Sequence, residues 1–250
     1  MKLISIKLLV VFCLLITVKP VISQQLRLLN AFYYPVYDTS KFNYYYFEIK
    51  QQEKNLIDTK VFNLDSVLVR RSILVTDSIN SKTSERITEF YESRTLKSLE
   101  IIDFVENKNE KKEYYENGSL KSHEKKSNNK LVFGKYYSED GEEVQKPIFI
   151  PGMPEGGMEK WTSFLSKNLR YPFDAQVSNS EGTVILVFII DEDGTIIDPQ
   201  VANPEEVFPS LAEEALKMIE KYPDKWTPST LNGEFTKVRM RLPIRFKLTD

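Results

Sequence analysis

Cysteine and histidine are almost missing from this chain, and each absence narrows what the protein can do. Its 250 residues hold one cysteine, Cys13, and one histidine, His123. Cys13 lies inside an apolar stretch near the start, so the chain beyond residue 23 has nothing with which to build a disulfide, a thiolate metal site or a thiol nucleophile. A lone histidine makes no metal site unless the fold places carboxylates or cysteines around it. There is no Ser-His or Cys-His arrangement, no phosphate-binding loop and no dinucleotide fingerprint. Long hydrophobic runs are missing too. The longest, Leu8 to Val18, has 11 residues, and a membrane-spanning helix needs roughly 20. A formal net charge of −2 gives no footprint for nucleic acid. The expectation is a protein that is not an enzyme, with no catalytic group, no cofactor and no metal.

What is present begins with a targeting segment. Lys2 and Lys7 precede Leu8–Val18, Lys19-Pro20 closes the run, and Val21-Ile22-Ser23 stands ahead of Gln24. This is the layout of a secretory signal peptide over residues 1–23, cut after Ser23. The alternative is an uncleaved anchor in the inner membrane, facing the periplasm. Loss of Lys2, Lys7 and Lys19 takes the net charge from −2 to −5, so any basic patch further along is local to an acidic molecule.

Residues 24–145 read as a β-rich domain. Phe32-Tyr33-Tyr34 and Tyr44-Tyr45-Tyr46-Phe47 favour half-buried strands, and 61–76 and 98–105 are strand-like, with Asn80-Ser81-Lys82-Thr83 as a turn. An internal repeat runs from about residue 88 to 145. Phe90-Tyr91-Glu92-Ser93-Arg94-Thr95-Leu96-Lys97-Ser98 aligns with Tyr114-Tyr115-Glu116-Asn117-Gly118-Ser119-Leu120-Lys121-Ser122, and a third copy starts at Tyr136-Tyr137 with its turn at Asp140-Gly141. These units resemble MORN-like hairpin repeats, in which each hairpin covers its neighbour. Arg94 stands where the other copies have glycine. His123 occupies the place of Leu99, which makes it a strand side chain of the repeat rather than a ligand. Pro147, Pro151 and Pro154 mark a stiff linker over 146–154.

The last hundred residues, 155–250, are the most structured by pattern. Met158, Trp161, Phe164, Leu165 and Leu169 fall at helical spacing, and so do Leu211, Ala215, Met218, Ile219 and Tyr222 behind Pro209. Thr183–Ile190 is a β-branched run that predicts a strand buried on both faces. Asp193-Gly194 then supplies a hairpin turn, with a second strand ending by Pro199. Phe235–Leu248 predicts one long alternating strand, with Val238, Met240, Leu242, Ile244, Phe246 and Leu248 on one face. Lys237, Arg239, Arg241, Pro243, Arg245 and Lys247 form the other, solvated and basic face. Pro243 has no N–H to give, which places this strand at a sheet edge or a bulge. A row of charges on a strand is also what ordinary solvation produces.

Gly156-Gly157, Tyr171-Pro172, Gly182-x-Val184, Phe188, Asp193-Gly194, Glu214-Ala215, Trp226-Thr227-Pro228, Asn232-Gly233 and Leu242-Pro243-Ile244-x-Phe246 recur in an order that resembles the TonB C-terminal domain family, in its Bacteroidetes-type form. The resemblance covers about residues 151–250. It implies an α+β fold, two helices on a three-stranded antiparallel sheet, preceded here by the mostly-β repeat domain. It also implies a periplasmic, non-catalytic module that takes a peptide segment of an outer-membrane TonB-dependent receptor, or of another envelope protein, by strand addition along the last strand. On that reading the partner-binding residues are Tyr171, Pro172, Lys237, Arg239, Arg241, Pro243, Arg245 and Lys247. Many family members carry glutamine where this chain has Arg170, which bears on the partner rather than the fold. A homodimer through the same edge is another use of it. The competing function is an envelope structural or adaptor protein uncoupled from the proton-motive force.

Overall fold

The computed structural model describes residues 24–40, 42–77 and 82–248. The expected signal peptide, Cys13 and part of the Asn80–Thr83 turn lie outside the described residues. The chain divides into two compact units, one of 24–27 and 47–134, the other of 28–46 and 135–248.

Strand β1 (Gln24–Leu29) opens the described chain. The first unit is a meander of β2 (Tyr46–Glu53), β3 (Leu56–Asn63), β4 (Leu68–Asp77), β5 (Lys82–Phe90), β6 (Leu96–Asp103), β7 (Lys108–Tyr114), β8 (Leu120–Ser127) and β9 (Lys130–Tyr137). Neighbours in sequence are neighbours in space. Val61 and Val69 are the only buried apolar side chains among this unit's described residues. Cross-strand pairs therefore do the work a core would otherwise do. Asp58 of β3 takes a two-pronged Arg71 guanidinium from β4 at 2.9 Å on each oxygen.

The internal repeat is visible in three dimensions. Tyr91 donates its N–H to Thr95 and accepts from the Arg94 N–H; Tyr115, Ser119 and Gly118 repeat the pattern, as do Ser138, Glu142 and Gly141. The fourth residue of each turn has positive φ: 68° at Arg94, 88° at Gly118 and 88° at Gly141. Arginine adopts there a left-handed conformation that glycine adopts freely. The Ser98 hydroxyl donates to Glu89 and that of Ser122 to Glu113, both at 3.1 Å. Lys97 lies over the Tyr91 ring and Lys121 over the Tyr115 ring, at 5.6 and 5.5 Å.

The second unit continues with β10 (Glu143–Val144), β11 (Phe149–Ile150), β12 (Met153–Pro154), α1 (Gly157–Asn168), α2 (Phe173–Val177), β13 (Gly182–Ile190), β14 (Ile196–Val201), α3 (Pro209–Lys221), β15 (Trp226–Thr227), β16 (Ser229–Leu231), β17 (Glu234–Thr236) and β18 (Val238–Phe246). Its main sheet has the order β14-β13-β18, all antiparallel. The inward residues of β13 (Val184, Leu186, Phe188, Ile190) and of β18 (Leu242, Ile244, Phe246) form one core with Trp161 of α1, Leu211, Ala215, Met218 and Ile219 of α3, and Trp226. Each large side chain fully buried there contributes roughly 1.5–3 kcal/mol. The fold is thus α+β, with α1 and α3 as the expected pair of helices and α2 as an added turn. The hairpin after β13 closes at Gly194 with φ 83°. A Cβ there would lie 2.0 Å from the Trp226 carbonyl oxygen, so the turn can press against Trp226 only as glycine.

Several expectations need correction. Met158 is exposed at 49%, because it sits in the first turn of α1, outside the buried stripe that Trp161 leads. The hairpin strand does not end by Pro199: β14 runs on to Val201, absorbing the proline with a register shift and φ 51° at Asp198. The last strand is two, β17 and β18, parted at Lys237. The described residues of 30–45 hold no regular strand. Asn30 closes a turn there, its side-chain oxygen accepting the N–H groups of Phe32 and Tyr34 at 2.8 and 3.0 Å, and that local bonding competes with a ladder.

Candidate functional site

Strand β18 lies at the edge of its sheet and, among the described strands, is hydrogen-bonded to β13 alone. Which of its main-chain groups face outward follows from the other side of β13. Ile185 donates its N–H to Asn203 Oδ1 at 2.9 Å and accepts the Ala202 N–H at 2.8 Å, both on the β14 side. The Thr183 carbonyl likewise accepts from Asn203. Ile185 stands opposite Pro243, and in an antiparallel pair two opposed residues either exchange both hydrogen bonds or neither. Pro243 therefore turns its main chain away from β13. By the two-residue period, Arg239, Arg241 and Arg245 do the same, while Val238, Met240, Leu242, Ile244 and Phe246 bond to β13. The missing N–H of Pro243 falls on the open edge, where it breaks no ladder bond.

The open edge thus offers three N–H donors, at Arg239, Arg241 and Arg245, and four carbonyl acceptors. The side chains of the same residues point to the outer sheet face, and all of them, with Pro243, are exposed. Among the described residues no carboxylate lies within salt-bridge distance of Arg241 or Arg245.

The outer face is not simply solvated. Val187, which points to it, is 1% exposed. Its neighbours across the sheet are Gln200 and Arg241. The Gln200 carbonyl accepts from Asn30 Nδ2 at 3.0 Å, and its amide donates to the Asn43 carbonyl at 3.2 Å. Arg239 stacks over Phe32 and Tyr33, 5.9 and 5.5 Å from the ring centroids. Beside it Tyr34, Pro35, Tyr37, Ile185, Asn203 and Arg241 line an open cleft of about 280 Å³ together with Glu205 and Glu206. Residues 28–46 are therefore a strap across the back of this sheet. The clusters of aromatic residues were visible in the sequence; that they would cover a strand some 150 positions later was not.

The remaining predicted residues bracket the edge strand. Tyr171 and Pro172 are half-buried at the Phe246 end. There the Tyr171 ring meets Phe246 edge-on at 5.8 Å and its hydroxyl donates to the Ser180 carbonyl at 2.6 Å. Burial, with the Glu181 carboxylate adding to it, pushes the Tyr171 phenol up from its usual range. At the other end Lys237 pairs with Asp191 at 3.1 Å. The Glu192 N–H, first, and Lys237 hold the Asp191 carboxyl below the usual range. Lys247 is exposed just beyond the strand. The structure thus gathers Arg239, Arg241, Pro243 and Arg245 into one row and sets Tyr171, Pro172, Lys237 and Lys247 around its ends. Arg170 donates its N–H to Glu214 at 3.0 Å. Among the described residues no group of three His, Cys, Asp or Glu side chains is placed to hold a metal ion.

Residues 167–248, about a third of the chain, match the model of the Gram-negative bacterial TonB protein C-terminal family. That segment belongs to the TonB C-terminal family. Its match begins at the end of α1 and takes in α2, β13, β14, α3 and the whole edge strand. The solution NMR structure of the Helicobacter pylori TonB C-terminal domain is similar at 28% identity, covering 37% of this chain and 81% of that one with a TM-score of 0.29. A comparison with curated proteins found no match. TonB C-terminal domains are non-catalytic interaction domains.

Proposed function

We propose that this is a periplasmic, non-catalytic TonB-like protein that receives an extended segment of an outer-membrane transporter, or of another envelope protein, along β18. The observation that carries the reading is the parity of that strand: its unpaired N–H and C=O groups all lie on one open edge. Strand addition takes its affinity from such main-chain bonds and its specificity from alternate side chains. Tyr171 packs against Phe246 at one end of this strand, and the arginine row supplies the alternate side chains. The test is to titrate peptides from the periplasmic ends of outer-membrane transporters into the labelled full-length chain and follow its amide resonances. Shifts concentrated at 239–245 support the reading. Binding with no shift anywhere in 151–250, or no binding by any such peptide, overturns it.

The adaptor reading has its own observation. The first unit's sheet carries apolar side chains in the open, including Val75, Ile101 and Val132 at 39, 40 and 65% exposure. An exposed apolar surface apart from the basic β18 edge suits a protein that joins two partners. Deleting the β18 contact while retaining envelope association through residues 47–134 is the outcome that favours it.

A further inference from the structure

The edge of β18 is chemically one-sided, and that determines what can pair with it. Resting on the strand-addition reading above, we infer that the site selects an extended segment with an acid–x–apolar–x–acid pattern, and that the same row prevents two copies of this chain from pairing through β18.

The argument starts from the outward residues in order: Arg239, Arg241, Pro243, Arg245. Residues directly opposite on paired strands share a face, so partner side chains that meet this row lie on the outer face beside the arginines. Arg239 is already engaged: its guanidinium sits on the Phe32 and Tyr33 rings, and a cation held on aromatic faces has much of its interaction satisfied. Arg241 and Arg245 are exposed, and among the described residues no carboxylate lies within salt-bridge distance of either; Glu205 and Glu206 line the same cleft as Arg241 without pairing with it. The two arginines are four residues apart, which in a strand sets the two acidic positions of the partner four apart. Between them stands Pro243, exposed and with an outward carbonyl but no N–H, so the partner residue opposite it loses one ladder bond and meets the ring. An apolar side chain fits there. The pattern reads the same in either direction, so it does not depend on whether the partner runs parallel or antiparallel.

Self-pairing fails on the same count. In any register of two antiparallel β18 strands joined at their open edges, an arginine of one copy falls opposite an arginine, Lys237 or Lys247 of the other. Like charges opposed across a ladder destabilise it, and basic residues on an edge are a known defence against edge-to-edge association. The chain as a whole is acidic, with a net charge of −2. The row is therefore a local device, which a partner carrying carboxylates turns from repulsion to attraction.

The experiment uses the full-length chain and three fluorescent seven-residue peptides on a valine–threonine background. The first has aspartates at its second and sixth positions and valine at its fourth; the second has asparagines in place of the aspartates; the third has lysines. Expected is binding of the acidic peptide about tenfold tighter than the asparagine peptide at low salt, the sum of two exposed pairs, with the gap shrinking as salt rises. The double variant R241E/R245E should invert the order and prefer the lysine peptide. Equal affinity of the acidic and asparagine peptides, with β18 amides protected in both, overturns the selectivity and leaves strand addition standing. Binding of none of the three overturns both. Sedimentation of the peptide-free chain should show a monomer; a dimer in which the Arg241 and Arg245 amides become protected overturns the second half of the inference.

Discussion

Proline placed at successive positions of β18 should distinguish its two rows of main-chain groups by stability. At Met240 the N–H belongs to the row that bonds to β13, opposite Phe188. Met240→Pro removes that ladder bond, worth about 1 kcal/mol net. It also strands the carbonyl of Phe188, a residue with no exposed surface, for roughly 1–3 kcal/mol more, and puts a ring into a paired strand. With Met240→Ala as the control for lost side-chain packing, the proline-specific cost is roughly 3 kcal/mol. At Arg241 the N–H points to solvent, as the nitrogen of Pro243 does. Arg241→Pro loses no ladder bond, and the preference it imposes on Met240 is already extended, so its cost is about 1 kcal/mol or less. The assay is urea unfolding followed by tryptophan fluorescence. Both tryptophans, Trp161 and Trp226, are buried in the C-terminal core, so the signal reports that unit alone. Equal loss of stability at the two positions would refute the parity assignment.

Three further outcomes follow from other parts of the molecule. Arg94→Gly should raise the thermal midpoint of the first unit by relieving the positive φ at that turn, a gain of about 0.5–1 kcal/mol, whereas Gly118→Arg at the equivalent turn should cost about 1 kcal/mol; circular dichroism melts of both variants check this. The Asp58 carboxyl is held below its usual range, chiefly by the hydrogen bond from Arg71. Because the folded pKa is the lower one, the stabilisation is complete above the unfolded carboxylate value near 4 and fades as pH falls through the depressed folded value, so urea midpoints measured from neutral to acid pH should show a shallower acid limb in Asp58→Asn. Asn30→Ala removes two turn-closing acceptor contacts and leaves the buried Gln200 carbonyl without its donor, at roughly 2–3 kcal/mol; hydrogen exchange should then show residues 28–46 opening while α3 stays protected.

The helices and strands of the C-terminal segment were legible because their signals are strong and local. The stripe Leu211–Ala215–Met218–Ile219 behind Pro209, the β-branched run of β13 and the alternation of 238–246 each specify one element with one buried face. Pro243 also announced an edge. What the alternation could not give is the hydrogen-bonding side of each residue, since that depends on Asn203 and Ala202 meeting Ile185 from a strand beyond. The strap was missed for a related reason. Aromatic density at 32–34 and 44–47 has the composition of strands, and Tyr46 and Phe47 do open β2; at 32–34, however, Asn30 closes a turn that stops the ladder, and the partners of the strap, Gln200 and Arg239, are far away in sequence. Arg94 shows the converse: the repeat alignment placed it at a turn, and the fold imposes the left-handed conformation there although the residue does not favour it.

Residue-resolved amide hydrogen exchange on the free protein tests the central claim most directly. An open edge predicts rapid exchange at Arg239, Arg241 and Arg245, interleaved with slow exchange at Met240, Leu242, Ile244 and Phe246. Uniform protection of all seven amides would mean that the outer side of β18 is already occupied, and the account of this strand as a docking edge would be wrong.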